Sequence, residues 1–530
     1  MRTAVLVLVL TLCTTPPSDQ DHHHSEPAQK VGSVSFAISC ANTAQRGVER
    51  GLALMHSFLF DDAEEQFSAA ATEDSTCAMA YWAKAIGLYR PLAYAPTDAD
   101  MKQGWELIQK AQTLNPRTPR ERGYVEAAVI LYRPDERTLS ARNHQYSSAL
   151  EKMSQDYPND REASVFYALS LLTWADSDHP LADSKKAIEI LNQVFRENPD
   201  HPGVAHYLIH AADSPQLALL GLEAARRYAQ IAPASPHALH MPSHIFARLG
   251  LWQEDIRANL ASLEAAETAS TVHVGAENQL HAMEFLEYAY LQIGEDKQAE
   301  QLLQAQAKIG YDQVDKNLRD YVNRTRANSP ALYYLETRNW KTALSLEPDP
   351  ATETYNQAII FWAKAVAAGH LRDVPTAQLA VARYDALLQA TKDGPQSYRA
   401  KFMTTKRDEA RAWLYFLEGK HNEAIEILQA IADKQDVEGK AEIELPAREM
   451  LADMLLEMNR PAEASPEFEK SIKVDPNRFN GLYGAGRAAE LLGQRGKERG
   501  YYELLLKNCA ASQSNRPELA HARASMSASE

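Results

Sequence analysis

Eight of the 17 histidines in this 530-residue chain fall between His201 and His281: His201, His206, His210, His237, His240, His244, His273 and His281. Their register is more informative than their number. His206 and His210 follow Pro199 by seven and eleven residues, and His240 and His244 follow Pro233 by the same intervals, so the two pairs are 34 residues apart. An i, i+4 spacing puts both imidazoles of a pair on one face of a helix. After a short insertion, His281 and Glu284 extend the series; Asp213 and His237 fall near the same stripe, and Tyr288 lies one turn beyond Glu284. Imidazole is a common ligand for zinc, copper and iron, and a carboxylate completes a three- or four-ligand set. The pattern nominates His206, His210, His240, His244 and Glu284 as ligands of one zinc, copper or iron ion. Asp213, His237, His281 and Tyr288 widen this into a polar ligand-binding wall. Two other readings fit the same residues: histidines that hydrogen-bond between helices, and a pH-sensitive surface whose imidazoles repel one another once protonated. Pro242 stands between His240 and His244, where it removes a backbone hydrogen bond. It either kinks the helix so that both rings point inward or marks a late helix start.

What must position these residues is a helical repeat. Leu451, Ala452, Leu455, Ala464, Phe468, Ser471 and Pro476 alternate small and large side chains as two close-packed antiparallel helices require, and a 34-residue shift lands on Ala485, Gly486 and Tyr502. Tyr415, Ala424, Leu428 and Ile431 give a copy upstream; Gly51, Ala63, Phe67 and Ala70 give one near the start. Asn115-Pro116, Asn198-Pro199 and Ala232-Pro233 end further hairpins. Residues 44 to 508 thus resemble the tetratricopeptide repeat family, with irregular copies between roughly 120 and 180 and between 310 and 400. The resemblance implies an all-α solenoid of stacked antiparallel hairpins, a superhelix with a concave groove, and histidine pairs facing that groove. The groups His56-Ser57-Phe58, Cys77-Ala-Met-Ala-Tyr81-Trp82 and HxxHMPSH, ending at His244, look like those of a bacterial exported branch of the family. His56, Trp82, Tyr89 and Arg90 are candidates for the groove's N-terminal lining, or for hairpin core.

The predicted organisation is a signal peptide over 1–20, a flexible linker over 21–43 and an N-terminal array with the histidine cluster over 44–391. A linker follows over 392–407, around Lys392-Asp393-Gly394-Pro395, then C-terminal repeats over 408–510 and a frayed tail over 511–530. Met1-Arg2-Thr3 followed by the largely apolar Ala4–Leu12 stretch reads as an export signal too short to span a bilayer. His22, His23 and His24 read as part of a tether. Export implies a periplasmic or secreted protein; without a working signal the chain would be cytoplasmic. In an oxidising compartment Cys40 and Cys77 are candidates for a disulfide, worth roughly 3–4 kcal/mol on the chain-entropy model.

The net charge of −16 disfavours nucleic acid and anionic lipid as partners, and no transmembrane segment is expected in the mature chain. The sequence contains no H-E-x-x-H, Walker, dinucleotide-binding or nucleophile-elbow motif. Two functions remain open. One is a scaffold whose groove holds a peptide, protein segment or small polar ligand, with or without a histidine-bound metal. The other is a metal-dependent oxidase or hydrolase built on the His/Glu cluster.

Overall fold

A computed structural model describes residues 30–93, 95–173, 180–267, 272–314, 319–441 and 443–528. The predicted signal peptide and His22–His24 lie outside these residues, as does the side chain of His273. The described chain is a succession of α-helices with no strand. Consecutive helices pair as hairpins, beginning with Asn42–His56 against Phe60–Glu73, and each hairpin stacks on the next.

The small/large pattern acts as the sequence suggested. A Cβ added at Gly51 would collide with the ring of Phe67, and one added at Gly484 with the ring of Phe468. Each aromatic side chain therefore fills the space left by a glycine on the facing helix, which brings the two backbones close. Local signals fix where helices start. Thr97 and Thr118 head capping boxes with Asp100 and Glu121, and Pro119 and Pro202 occupy first turns, where a missing N–H costs nothing.

Three segments differ from expectation, each because apolar or polar anchors tie it down. The expected linker over 21–43 is packed where it is described: Val31, Phe36 and Ile38 are buried, and the amide of Phe36 donates to Glu49. Cys40 forms a disulfide with Cys77. The expected linker over 392–407 shrinks to a turn and a short 3-10 helix, Ser397–Arg399. The helix Ala400–Leu417 begins at once, with Met403 buried and its carbonyl accepting from Tyr384 Oη at 2.9 Å. The expected frayed tail forms the helix Pro517–Ala528, with Leu519 and Ala522 buried beside Cys509 and Phe479.

The C-terminal repeats return to the middle of the chain. Trp252 Nε1 donates to the Asn477 carbonyl at 2.8 Å, and the Phe479 amide donates to Gln292 at 3.0 Å. Ser512 donates to the Gly294 carbonyl at 2.7 Å, and Arg516 pairs with Asp296. The helix Val272–Gln292 is thereby held on a second side by residues about 200 positions later.

Candidate metal centre

The helix Pro202–Ala212 starts at His201, whose Nδ1 accepts from the Val204 amide at 3.3 Å. One and two turns on, His206 and His210 project together, with ring centroids 4.8 Å apart. In the next hairpin Ser235 caps the helix Pro236–His240. Met241 keeps helical dihedrals (φ −50°, ψ −35°), and Pro242 opens the helix Pro242–Arg248. The proline therefore divides the helix without turning its two histidines apart: the rings of His240 and His244 stay 5.0 Å from each other. His281 comes from the helix Val272–Gln292 and lies 4.3 Å from His240.

Six rings form two groups of three. His206, His210 and His237 bring one nitrogen each to within 4.8 Å of one another, and so do His240, His244 and His281. The groups are built alike. Each takes an i, i+4 pair from one hairpin and a single ring from the next. Within the first group the Nε2 atoms of His210 and His237 lie 3.1 and 3.0 Å from Nε2 of His206. Within the second, Nε2 of His240 lies 3.1 Å from Nε2 of His244.

The outer ring nitrogens determine what those inner atoms carry. His206 Nδ1 is 2.7 Å from the His56 carbonyl, which can only accept, so Nδ1 bears the hydrogen. His240 Nδ1 is 2.7 Å from Asn259 Oδ1; the Asn259 amide nitrogen is committed to Asp255, which fixes the oxygen toward the ring. His244 Nδ1 donates to Asp213 at 3.0 Å, and Arg248 holds the other Asp213 oxygen at 2.9 Å. His281 Nδ1 is 3.1 Å from Tyr321 Oη, whose own hydrogen goes to Glu284 at 2.6 Å, so the ring must donate. The acceptors on the far side of the rings thus place a hydrogen on Nδ1 of His206, His240, His244 and His281, and their Nε2 atoms are directed inward. The Nε2 atoms of His240 and His244 then face each other at 3.1 Å. On His206, one lone pair is approached by two imidazole nitrogens. Nitrogens gathered this closely could hold a cation, and hydrogen bonds of this kind on the far side of the ring characterise metal-binding histidines.

Burial disfavours the charged form of two of the rings. It pushes the imidazolium pKa of His206 and of His237 well below the ordinary value, and the neighbouring histidines push it further. Glu284 responds in the opposite sense. Burial, the largest single influence, would raise its pKa, but the Arg324 guanidinium 3.1 Å away acts together with His281 and the Tyr321 hydroxyl to bring it down to about 2.

A third cluster, His56, Glu162 and His201, is also compact, but its hydrogen bonds are complete. His201 and His56 both donate through Nε2 to Glu162, while their Nδ1 atoms accept from the Val204 amide and Tyr207 Oη. It leaves no lone pair for an ion and acts as a buttress behind the first group.

Most of the residues nominated from sequence therefore come together, with altered roles. His237 and His281, expected only as wall residues, complete the triads. Glu284 is not among the ligand atoms; it supports His281 through Tyr321. Asp213 supports His244. Tyr288 is buried elsewhere, its hydroxyl donating to the Glu444 carbonyl and meeting Arg478. Of the candidates for an N-terminal lining, His56, Trp82 and Tyr89 are buried core.

Sequence reasoning gave no role to Asn259, Tyr321 or Phe58. Phe58 has a positive φ of 59° and stacks on His237 with centroids 4.6 Å apart. With the neighbouring carbonyls of His56 and Ser57, which accept from His206 and Ser235, it threads the His56-Ser57-Phe58 group between both histidine hairpins. That group was the available signal.

Comparison with known sequences and folds follows the same lines. The tetratricopeptide repeat family model matches residues 445–478. Among curated proteins, none matches the chain. Similar solved structures include the TPR domain of P58(IPK), at 13% identity and TM-score 0.22 over 86% of this chain and 99% of that one. The human IFIT1 dimer with m7Gppp-AAAA aligns at 12% identity and TM-score 0.34, covering 81% of this chain and 90% of that one. The APC/C hetero-tetramer Cut9-Hcn1 aligns at 13% identity and TM-score 0.31, covering 84% and 76%. The family match identifies a tetratricopeptide repeat at residues 445–478, within a chain whose described residues form stacked helices.

Proposed function

We propose that this solenoid is an exported metal-dependent enzyme whose two histidine triads hold transition-metal ions. The tetratricopeptide fold is a protein-binding scaffold, and here one stretch of that scaffold carries a metal centre. The observation behind this reading is the convergence of three histidine nitrogens in each of two groups, with four of the six rings oriented by His56, Asn259, Asp213 and Tyr321. Three protein ligands per ion with a free fourth position is the arrangement of a catalytic site, whereas structural sites close all four. The ligands are all neutral nitrogens, which suits copper or zinc. Magnesium, calcium and manganese prefer oxygen, and non-haem iron oxygenases use two histidines with a carboxylate. The Cys40–Cys77 disulfide supports an oxidising compartment, in keeping with the export-signal pattern.

Elemental mass spectrometry on tag-free protein, beside a His206→Ala/His240→Ala variant, tests this. Near-stoichiometric copper or zinc in the parent and its loss from the variant is the expected result. Parent protein that stays metal-free after reconstitution would overturn the proposal and leave a scaffold that recognises a peptide or protein partner.

A further inference from the structure

Between the helices Val272–Gln292 and Arg319–Glu336 lies a small cavity whose polar wall is Glu284, Glu287, Tyr288, Asn328 and Ser329. It leaves about 10 Å³ for the centre of a water-sized sphere, at the lower limit for a single water molecule.

Two carboxyl groups meet this space with unequal support. Glu284 Oε2 accepts from Tyr321 at 2.6 Å and from Arg324 at 3.1 Å, whereas its Oε1 is buried and has no hydrogen-bond partner. Glu287, one turn on, is 2% exposed and receives neutral donors, Gln306 Nε2 at 3.3 Å and the Ser329 hydroxyl. The cations around the cavity are engaged with other acids. Arg324 pairs with Glu284, Lys406 with Glu444 at 2.8 Å, and Arg478, which meets Tyr288, with Glu336 and Glu449. None of the three forms an ion pair with Glu287. Burial and the Glu284 charge accordingly push the Glu287 pKa well above the ordinary carboxylate value, as expected of an ionised form that lacks a counter-charge.

With Glu287 ionised, Glu284, Arg324 and Glu287 together carry one unmatched negative charge, and one positive charge completes the set. Hard cations take oxygen ligands, and carboxylate, hydroxyl and amide oxygens are what this wall offers. Sodium is smaller than a water molecule, whereas potassium is about as large. We propose that the cavity is a sodium site, with Glu284 Oε1, Glu287, Ser329 Oγ and Asn328 Oδ1 as its donors. The rival for the same negative charge is a proton on Glu287 beside a water molecule. The site bears on the histidines without requiring a metal there. Glu284 Oε2 accepts from Tyr321, whose hydroxyl stands 3.1 Å from His281 Nδ1, so an ion fixed on Oε1 steadies that ring from behind.

The test takes the full chain, freed of transition metals, in choline chloride, and replaces choline with sodium at constant ionic strength. The melting temperature should rise and saturate with sodium, because a ligand of the folded state stabilises it, and potassium should give a much smaller rise. The sodium NMR line should broaden on adding the parent protein. Glu287→Gln, which keeps the side chain's shape and removes its charge, should fold with parental helicity and lose both effects. Equal melting curves in sodium, potassium and choline, or an unbroadened sodium line, would overturn the site in favour of a protonated Glu287 and a water. Both readouts are taken on the parent, so this outcome does not depend on the variant folding. A sodium effect undiminished in folded Glu287→Gln protein would also overturn the site, by placing the ion elsewhere. Copper or zinc uptake is measured separately, so failure here and failure of the metal-centre reading are distinguishable.

Discussion

What stands behind each histidine sets which nitrogen it turns inward. Asp213 holds the His244 ring by Nδ1, and its removal takes away that anchor. An Asp213→Ala variant is expected to lose about 10–100-fold in affinity at the second triad with little change at the first. Competition against a calibrated chelator reads this as one weakened site out of two, and equal weakening of both would contradict it. The rings also link stability to pH. His206 and His237 have folded pKa values well below the ordinary imidazole value, chiefly through burial. Below pH ~6.5 the unfolded chain takes up protons that the folded chain refuses, so metal-free protein should lose stability as pH falls from 7.5 toward 5. Glu162, whose folded pKa is depressed, contributes in a separate and lower window, below its unfolded value near ~4.5. Melting curves across this range should slope downward with acid for the parent and flatten for a His206→Gln/His237→Gln variant. An unchanged slope in the variant would assign the effect to other groups. At this scale the grouping of the histidines was largely legible, since 34-residue register and i, i+4 spacing are properties of sequence. The supporting acceptors were not. Asn259 and Tyr321 come from other helices, and nothing in their own spacing points to a ring they meet only after folding.

Helices and their junctions turn these residues toward one another. The helix Pro202–Ala212 lies so close to His56 that a Cβ at Gly203 would stand 2.8 Å from Cγ and 2.9 Å from Nδ1 of that ring. Both atoms belong to a fully buried side chain with little room to give. Gly203→Ala should therefore push His56 and helix apart and disturb the His56 carbonyl that locks His206. The expected signature is reduced metal affinity at the first triad with native helicity and a modest fall in melting temperature, because overpacking typically costs about 1–3 kcal/mol. Unaltered affinity would show that the contact is not transmitted to the carbonyl. Pro242 shows the limit of local rules. Its missing N–H predicts a break, which occurs, yet the helical dihedrals of Met241 keep His240 and His244 on one side. The terminal segments were misjudged for a related reason. Val31, Phe36, Leu519 and Ala522 are too few and too scattered to form a periodic pattern, and their burial depends on surfaces supplied by distant repeats.

At the scale of the molecule, the return of the C-terminal repeats makes the histidine cluster depend on residues far from it. Arg478 is almost wholly buried. It donates to Glu336 at 2.7 Å and to Glu449 at 2.9 and 3.0 Å, and it meets the hydroxyl of Tyr288. Tyr288 belongs to the helix that carries His281, two turns away. One guanidinium thus joins the C-terminal repeats, the helix Arg319–Glu336 and the helix that completes the second triad. Burial already raises the Glu449 pKa against the pull of Arg478, so removing the arginine strands two facing carboxyl groups. Breaking a buried ion pair from one side costs about 3–5 kcal/mol. Arg478→Met should lower the urea midpoint accordingly, and adding Glu449→Gln should recover part of the loss by removing one stranded charge. Because the lock acts on the helix of His281, metal affinity should fall at the second triad before the first. Both effects failing together, a parental midpoint with parental affinities, would mean that the C-terminal repeats rest against the central helices without holding them.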